Sequence, residues 1–260
     1  MRFSIRATMG SVAVAALLGL GACAAPPTTT YTNEAGQEVT VNWKDYPVHA
    51  YSLPAELLDA PVKEDTEAVA AELFEEIKTA LTAEYRMEWE ARGEAGWFPT
   101  TGNGYGGQAM TYTYNSVEWR STTLPPSTAE WKKIMSVING FTTASGLGPV
   151  KLTPDSDSLA NDPERQKELV EEYGTADLDK LYWWAGTAYS GSQWLSVNLV
   201  NVARDTSGKA AKEYQESELP ARSISITYGT TTVSRADLPT FKKALEQFEG
   251  LTPPEPTTSD

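Results

Sequence analysis

The sequence contains one histidine, His49, and one cysteine, Cys23. Histidine is the usual general base, and histidine and cysteine are the usual zinc ligands, so most catalytic and zinc-dependent mechanisms lack the residues they need. A single cysteine also excludes an internal disulfide. The motifs G-x-S-x-G, S-x-x-K, G-x-x-x-x-G-K-S/T and H-E-x-x-H do not occur. We therefore predict no catalytic residue, no metal site and no cofactor.

Basic side chains are also few. Lys and Arg number 21 against 35 Asp and Glu, a formal net charge of −14 at pH 7. Residues 1–22 hold two arginines and no acid, so their removal would leave 19 basic against 35 acidic side chains, a charge of −16. Such a surface repels nucleic acid and anionic lipid headgroups. We therefore predict that nucleic acid is not a partner and that the body stands off the membrane surface.

Long apolar runs are absent apart from Val12–Leu20, which is too short to span a bilayer. Arg2 and Arg6 precede this run, and small residues separate it from Cys23, as in a bacterial lipoprotein signal peptide. The lipobox that this segment resembles is cleaved before its cysteine, which then carries a diacylglycerol. We predict a signal peptide over 1–22, lipidation of Cys23 and attachment of the protein to the extracytoplasmic face of the cell membrane through this lipid.

The rest of the chain has no internal repeat and no second low-complexity break, which indicates one domain. Residues 24–30 are Ala, Pro and Thr only, and the C-terminal residues are similar in composition. Such segments lack the apolar side chains that a core requires. We predict a lipidated cysteine and flexible tether over 23–36, a globular domain over 37–252 and a disordered tail over 253–260.

Apolar residues at helical spacing predict four helices. The longest begins after Pro61 with acidic residues in its first turn, which the helix dipole favours. Another begins with a capping box formed by Ser127 and Glu130. The predicted spans are 62–91, 128–144, 163–174 and a last helix from Ser234 or Asp237 to Gly250.

Alternation of apolar and polar residues predicts strands between these helices. The turn 190–192 joins two such segments and predicts a hairpin, which with 222–228 forms a three-stranded antiparallel meander. The predicted strands are 37–43, 110–119, 150–153, 181–189, 193–203 and 222–228. Helices interspersed with strands that end in a meander indicate an α+β fold, an antiparallel sheet with several helices packed on it.

Two loops match ligand-binding motifs only in part. Gly102–Gly107 fits G-x-G-x-x-G, but a predicted helix precedes it and a strand follows, the reverse of a dinucleotide site. We predict a mobile loop leading into a strand. Residues 155–157 have the alternating oxygens of a calcium loop without its glycine and distal glutamate. We predict a polar turn and helix cap there.

Aromatic residues are the remaining candidates for a binding site. Trp183, Trp184 and Trp194 lie on the predicted hairpin. Adjacent strand residues point to opposite faces, so Trp183 and Trp184 cannot both enter one core. One interpretation is that these rings contact a ligand, because exposed aromatic platforms bind glycans and peptides. The other is that helices cover both faces of the sheet and bury both side chains.

Several features together resemble the LppA-like group of uncharacterised actinobacterial lipoproteins. They are the lipobox at Cys23, the capped helix Ser127–Phe141 with Trp131 near its start, the segment Glu172–Gly174 and the strand around Leu195–Val197. The resemblance spans roughly residues 60–205. It implies a location in the cell envelope and a general fold, and it assigns no activity or site.

These patterns favour a membrane-anchored lipoprotein of the cell envelope without enzymatic activity, a binding or scaffolding module with cell-wall glycan or an envelope protein as partner. The alternative is a carboxylate-dependent hydrolase of cell-wall glycan, which needs two acids facing each other across a cleft. A third hypothesis is assistance to the export or assembly of a neighbouring membrane protein. The acidic residues offer many candidate pairs, and the sequence selects none.

Overall fold

The computed structural model describes residues 25–33, 35–153, 159 and 161–257, so Cys23, the predicted signal peptide and the segment 155–157 lie outside it. The described residues form an α+β fold, as predicted. The helices are α1 (Pro54–Asp59), α2 (Lys63–Tyr85), α3 (Thr128–Ala144), α4 (Pro163–Tyr173), α5 (Lys209–Glu216) and α6 (Leu238–Leu245). The strands are β1 (Thr28–Thr32), β2 (Glu38–Asn42), β3 (Glu90–Arg92), β4 (Gly96–Pro99), β5 (Tyr112–Asn115), β6 (Glu118–Ser121), β7 (Lys151–Leu152), β8 (Trp183–Ser190), β9 (Gln193–Asn201) and β10 (Arg222–Thr232).

Eight of these strands form one antiparallel sheet. Its order is β3-β6-β10-β9-β8-β7, and β5 pairs with β4 and with the C-terminal half of β10. The predicted hairpin is present, because β8 and β9 pair around Gly191. Since β9 pairs with β10 along its whole length, the predicted meander is confirmed and forms the centre of the sheet.

The main core lies on one face of this sheet. Leu195, Val197 and Leu199 alternate along β9 and are buried there, as the period of two requires. Helices α2 and α3 pack over them with their apolar faces, which include Ile77 and Ile138. The capping box that begins α3 is also present in part, since the Glu130 amide donates to Ser127 Oγ at 3.3 Å. Burial of these faces, at about 25 cal/mol per Å² of apolar surface, is the main force that holds the helices to the sheet.

Helix α2 ends earlier than its apolar spacing predicts. Arg86 adopts the left-handed conformation, with φ of 55° and ψ of 37°, and its amide donates to the Thr82 carbonyl. Residues 90–92 then form β3, which pairs with β6. Trp89 keeps the spacing of four but packs against the main core from the segment between the end of α2 and β3. The predicted end at Ala91 was therefore wrong. An apolar residue four positions further along can contact the same core from outside the helix, so the spacing alone does not locate the helix end.

The predicted strand over 110–119 is divided into β5 and β6. Both pair with β10, but the register shifts by one residue between them. Ser116 occupies the shift: its amide donates to the Tyr228 carbonyl at 2.9 Å, and its Oγ accepts from the Tyr228 amide at 2.9 Å. This arrangement is a β-bulge, in which a side chain replaces one bond of the ladder.

A second core is separate from the main core and contains a cluster of aromatic rings. The ring centroids in its contacting pairs lie 5.0 to 6.2 Å apart and belong to Trp43, Tyr46, Tyr105 and Phe248. Its buried members are Val41, Trp43, Tyr46, Val48, Leu57, Tyr105, Val233, Phe241 and Phe248. These residues come from both ends of the chain and from the loop before β5. Three segments predicted to be flexible take part in the second core or contact it.

The first of these segments is the predicted tether. Thr28–Thr32 forms β1, which pairs with β2 in an antiparallel hairpin. Trp43 fixes the hairpin, because its amide donates to the Pro27 carbonyl at 2.9 Å and its Nε1 donates to Thr29 Oγ1 at 2.8 Å. Threonine fits strands well. The prediction of a flexible segment over 23–36 was therefore wrong for Thr28–Thr32.

The second segment is the glycine-rich loop, which is fixed and not mobile. Asn103 is fully buried. Its Oδ1 accepts from the amides of Tyr105 and Gly107 at 2.9 and 3.0 Å. Its Nδ2 lies 2.7 to 3.1 Å from three backbone carbonyl oxygens, those of Trp43, Lys44 and Tyr46. A Cβ on Gly107 would lie 1.7 Å from the Lys44 carbonyl oxygen, so the glycine permits this close approach.

The third segment is the predicted disordered tail. The Tyr105 hydroxyl donates to the Pro254 carbonyl at 3.0 Å, and the Thr257 amide donates to the Gly104 carbonyl at 2.8 Å. The prediction of disorder was therefore wrong for residues 253–257. A proline-rich segment can be ordered in this way because its carbonyls still accept hydrogen bonds although proline donates none.

Candidate functional site

Trp183 and Trp184 begin β8 and point to opposite faces of the sheet, as predicted from the alternation. Trp184 is buried in the main core, where its ring meets Trp131 edge to face at a centroid distance of 5.4 Å. Its Nε1 donates to the Leu178 carbonyl at 2.8 Å. The polar atom of Trp184 is therefore satisfied within the protein, and only the apolar surface of the ring is left for a ligand.

Trp183 is half-buried on the other face. It packs against a small apolar cluster of Val200, Val202 and Ala210, the last of which belongs to α5. Its ring also stacks on Tyr173 of α4, with an interplanar angle of 25° and a centroid distance of 6.4 Å. Helical segments thus pack against both neighbouring tryptophans. The ring of Trp183 therefore does not form an open aromatic surface on which a ligand could stack.

Trp194 lies at the far end of the hairpin, where it pairs across the strands with Tyr189 and Gly229. Its ring covers Gly229 so closely that a Cβ there would lie 2.1 Å from the indole. Trp184 pairs with Leu199, five positions from Trp194 along β9, which corresponds to about 17 Å of strand. The structure therefore does not bring the three predicted site residues together.

Trp184 lines a pocket of about 680 Å³ between α3, β7 and the segment 176–179. Its other apolar lining residues are Met135, Val150, Leu152, Leu159, Ala176 and Leu178. Its polar lining residues are Lys132, Ser136, Asn139, Gln166, Asp177 and Asp179. An apolar floor with a few polar groups and a volume of several hundred Å³ is typical of small-molecule sites. We call this the α3 pocket.

Helix α3 supplies one wall of the α3 pocket. Lys132, Met135, Ser136 and Asn139 recur at the spacing of one helix face, beside the stripe that enters the main core. Asn139 Oδ1 accepts from the Val150 amide at 2.8 Å, which fixes the side chain. Its Nδ2 has no hydrogen bond to any described residue. The pocket thus contains a fixed amide whose Nδ2 has no partner among the described residues, beside Met135, whose unbranched thioether side chain can adapt to a ligand.

Ion pairs neutralise the charged groups at the rim. Lys132 Nζ lies 2.7 Å from Asp179 Oδ2. A hydrogen bond from Lys180, followed by one from the Asp179 amide, holds the pKa of Asp177 below its usual value. The Arg204 guanidinium donates to the Asp179 carbonyl and holds this segment in place. Each rim acid is therefore paired with a lysine.

The described residues that line the α3 pocket include no pair of facing carboxyls. The acids among them are Asp177 and Asp179, which lie two positions apart on the same rim. A glycosidase acid needs a raised pKa. Every carboxyl pKa with a resolved shift among the described residues is lowered, because hydrogen bonds to the carboxylates outweigh the burial that would raise it; these residues are Glu64, Asp177 and Asp205.

The lone histidine lies near the second core. The ring of His49 is 5.5 Å from that of Tyr51, and its Nδ1 accepts from the Tyr51 amide at 3.4 Å. Within the described ranges, no group of three or more His, Cys, Asp or Glu residues could hold a metal ion. No helix in the same ranges is both long and apolar enough to cross a membrane.

The sequence pattern indicated Trp184 as a site residue, but it did not indicate the other residues that line the α3 pocket. The available signal was the polar Ser136 and Asn139 next to the apolar stripe of α3, with Met135 between them. Leu178 and Asp179 come from a 3₁₀ turn that periodicity does not mark. Because three separate segments form this pocket, only the tertiary structure reveals it.

Comparisons with protein-family models, curated proteins and solved structures found no match. The resemblance to LppA-like lipoproteins therefore stays a prediction.

Proposed function

We propose that this protein is a lipid-anchored binding module of the cell envelope that holds a small, partly apolar molecule in the α3 pocket. The anchor rests on the lipobox-like sequence that ends at Cys23. The binding function rests on one observation, the pocket of about 680 Å³ with Trp184 and Met135 in its floor and fixed amides on its walls.

The lining of the α3 pocket indicates the chemistry of its ligand. An apolar portion would contact Met135, Leu152 and Trp184, while Asn139 Nδ2 would donate to a polar group. The lysines already pair with the rim acids, so a strongly charged ligand gains little there. Trp184 is only 5% exposed and offers no open ring face for a sugar. These features favour a glycan that carries an apolar group, or another neutral amphiphile, over a free glycan chain.

The hydrolase alternative has less support. Its mechanism needs an acid of raised pKa facing a second carboxyl. Among the described residues, the two acids that line the α3 pocket share one rim, and each pairs with a lysine. The arrangement therefore favours binding over hydrolysis at this pocket.

An alkyl glucoside below its micelle concentration tests the binding proposal, with glucose and a chitin oligosaccharide as free sugars. We expect the alkyl glucoside to change the tryptophan fluorescence and raise the Tm. Ser136→Phe should fill the mouth of the pocket and weaken binding at least tenfold. Thr143→Phe is the matched control, because Thr143 is exposed on α3 outside the pocket. Equal binding by Ser136→Phe and the parent protein would contradict the proposal, as would binding of free sugars alone.

The anchor is tested separately by mass spectrometry of the protein from a bacterial membrane fraction. We expect a mature N-terminus at Cys23 with the mass of a diacylglyceryl group. Cys23→Ala should leave the protein uncleaved and without that mass. An unmodified Cys23 in the parent protein would contradict the proposed anchor.

A further inference from the structure

The most exposed large apolar side chains of the described residues gather in one region. Tyr51 is 81% exposed, Tyr189 67%, Leu53 61% and Phe98 56%. Tyr51, Leu53 and Tyr189 line a shallow groove beside the hairpin turn. His49 links Phe98 to this group, because its ring contacts Tyr51 and lines a cleft with Phe98. We call the four side chains the apolar patch.

The apolar patch is not part of either core. None of its four side chains belongs to the main core or the second core. The segment that carries it is nevertheless held firmly, because the Ala50 amide donates to the Asn103 carbonyl at 3.0 Å and Ser192 Oγ donates to the Glu56 carbonyl at 3.2 Å. A fixed, exposed apolar surface of this kind marks an interaction site.

The start of the described chain lies beside the same region. Pro26 Cγ is 3.9 Å from the position of a Cβ on Gly106. The same loop contacts the patch segment, since a Cβ on Gly104 would lie 2.9 Å from Ala50 Cβ. The chain thus enters the fold at the loop that also supports Tyr51.

Covalent geometry limits how far the predicted lipid can be from this point. Three peptide units join Cys23 to Pro26. An extended chain spans at most about 3.6 Å per residue, so these three units can reach roughly 11 Å at most. Because residues 28–32 form β1, the predicted long tether does not separate the lipid from the body.

We propose that the apolar patch is a second membrane contact, which lies in the lipid interface when Cys23 is acylated. This inference rests on the proposed anchor. Tyrosine is favoured at the boundary between headgroups and acyl chains, and leucine and phenylalanine enter it. Glu56 lines the groove of the patch, and Glu255 lies near Tyr105, so zwitterionic headgroups suit this region better than anionic ones. The body therefore touches the membrane, contrary to the expectation from net charge.

This orientation keeps the α3 pocket away from the bilayer. Trp184 and Tyr189 are five positions apart on β8, about 17 Å of strand. The pocket lies toward the Trp184 end and the apolar patch at the Tyr189 end.

A fluorescent label tests the contact in the full mature, lipidated protein. Cys23 is the only native cysteine and would be acylated, so an introduced cysteine is the only free thiol. Tyr51→Cys and Val170→Cys are each labelled with a polarity-sensitive fluorophore and reconstituted in phosphatidylcholine vesicles. Val170 is the control because it is 50% exposed on α4 and outside the patch. We expect the label at position 51 to show a blue shift, a several-fold rise in emission and quenching by a lipid-borne quencher. The label at 170 should show none of these changes.

The outcomes separate the two proposals. If the protein floats with the vesicles and carries the acyl mass, but both labels respond alike, the second contact is wrong and the anchor stands. If the acyl mass is absent, the proposed anchor itself fails. We also expect a weaker response at position 51 when anionic lipid replaces part of the phosphatidylcholine; a stronger response would contradict the role given to the acidic residues.

Discussion

The main core and the second core are built in different ways. The main core joins regular elements, a meander and two amphipathic helices, whose buried side chains recur with a fixed period. The second core joins a hairpin, a glycine-rich loop, short helices and the C-terminal segment, and its aromatic rings come from distant parts of the chain. The first is held mainly by periodic apolar faces, whereas the second also depends on a buried polar side chain, Asn103, that satisfies backbone groups of two segments.

The largest expected effect comes from Asn103→Ala, which should break the second core. The change removes the partner of the Lys44 and Tyr46 carbonyls and of the amides of Tyr105 and Gly107. We expect a loss of about 3 to 5 kcal/mol in the free energy of unfolding, measured with urea. Asn115→Ala, at an exposed position of β5, should change it by less than about 0.5 kcal/mol. A loss below about 1 kcal/mol for Asn103→Ala would remove the polar network as the basis of the second core.

Gly229→Ala should destabilise the sheet that carries the main core. The new Cβ would collide with the Trp194 ring, so we expect a loss of about 1 to 3 kcal/mol. If Trp194 has this structural role, Trp194→Ala should relieve most of the effect in the double variant. A double-mutant cycle measures the coupling. If the losses in unfolding free energy of the two single variants simply add in the double variant, Trp194 does not cover Gly229. That result would favour a role for its ring in ligand binding.

Deletion of residues 253–260 should have a smaller effect. It removes the hydrogen bonds from Tyr105 to Pro254 and from Thr257 to Gly104. We expect about 1 to 2 kcal/mol, at roughly 0.5 to 1 kcal/mol for each bond, the lower part of the usual range because the segment is largely exposed. Deletion of 258–260 alone is the control and should leave the unfolding midpoint unchanged. Equal midpoints for both deletions would support the original prediction of a disordered tail.

The smallest effect depends on pH and concerns the contact between the start of α2 and the segment that follows β10. Hydrogen bonds from the backbone amide of Arg235 and from the helix N-terminus hold the pKa of Glu64 below its ordinary value of 4.5. A group whose pKa is lower in the folded state stabilises the fold above its unfolded pKa and loses this contribution as the pH falls through the folded pKa. Glu64→Gln should therefore make the unfolding midpoint less sensitive to pH below about 4.5. Glu72→Gln, at an exposed position of α2, is the control, and equal acid sensitivity of the two variants would contradict this role.

The sequence predicted the main core well because neighbouring residues determine it. The hairpin around Gly191, the third strand of the meander and the capped helix α3 all depend on local patterns. The left-handed Arg86 and the bulge at Ser116 depend on pairing with distant strands, so the spacing of apolar residues did not reveal them. The segments of the second core have the composition of linkers, and only their packing against Trp43 orders them.

The residues of the candidate site also include some that the sequence predicted and others that it did not. Trp184 was predicted as a candidate from its strand position, and it does line a pocket. Met135, Asn139 and Leu178 were not predicted, because the pocket exists only where α3 meets a 3₁₀ turn and β7. Trp183 and Trp194 are explained by packing against Tyr173 and Gly229. Sequence pattern thus indicated which face a side chain occupies, but not which other segment it meets.

Amide hydrogen exchange tests most directly whether the second core is as much a part of the fold as the main core. The Tyr105 amide is buried and bonded to Asn103 Oδ1 at 2.9 Å, although it lies in a segment that reads as a mobile loop. We predict that this amide is protected within about tenfold of the amides in β9, which open only with the whole fold. Exchange of the Tyr105 amide at the rate of an exposed turn would contradict it.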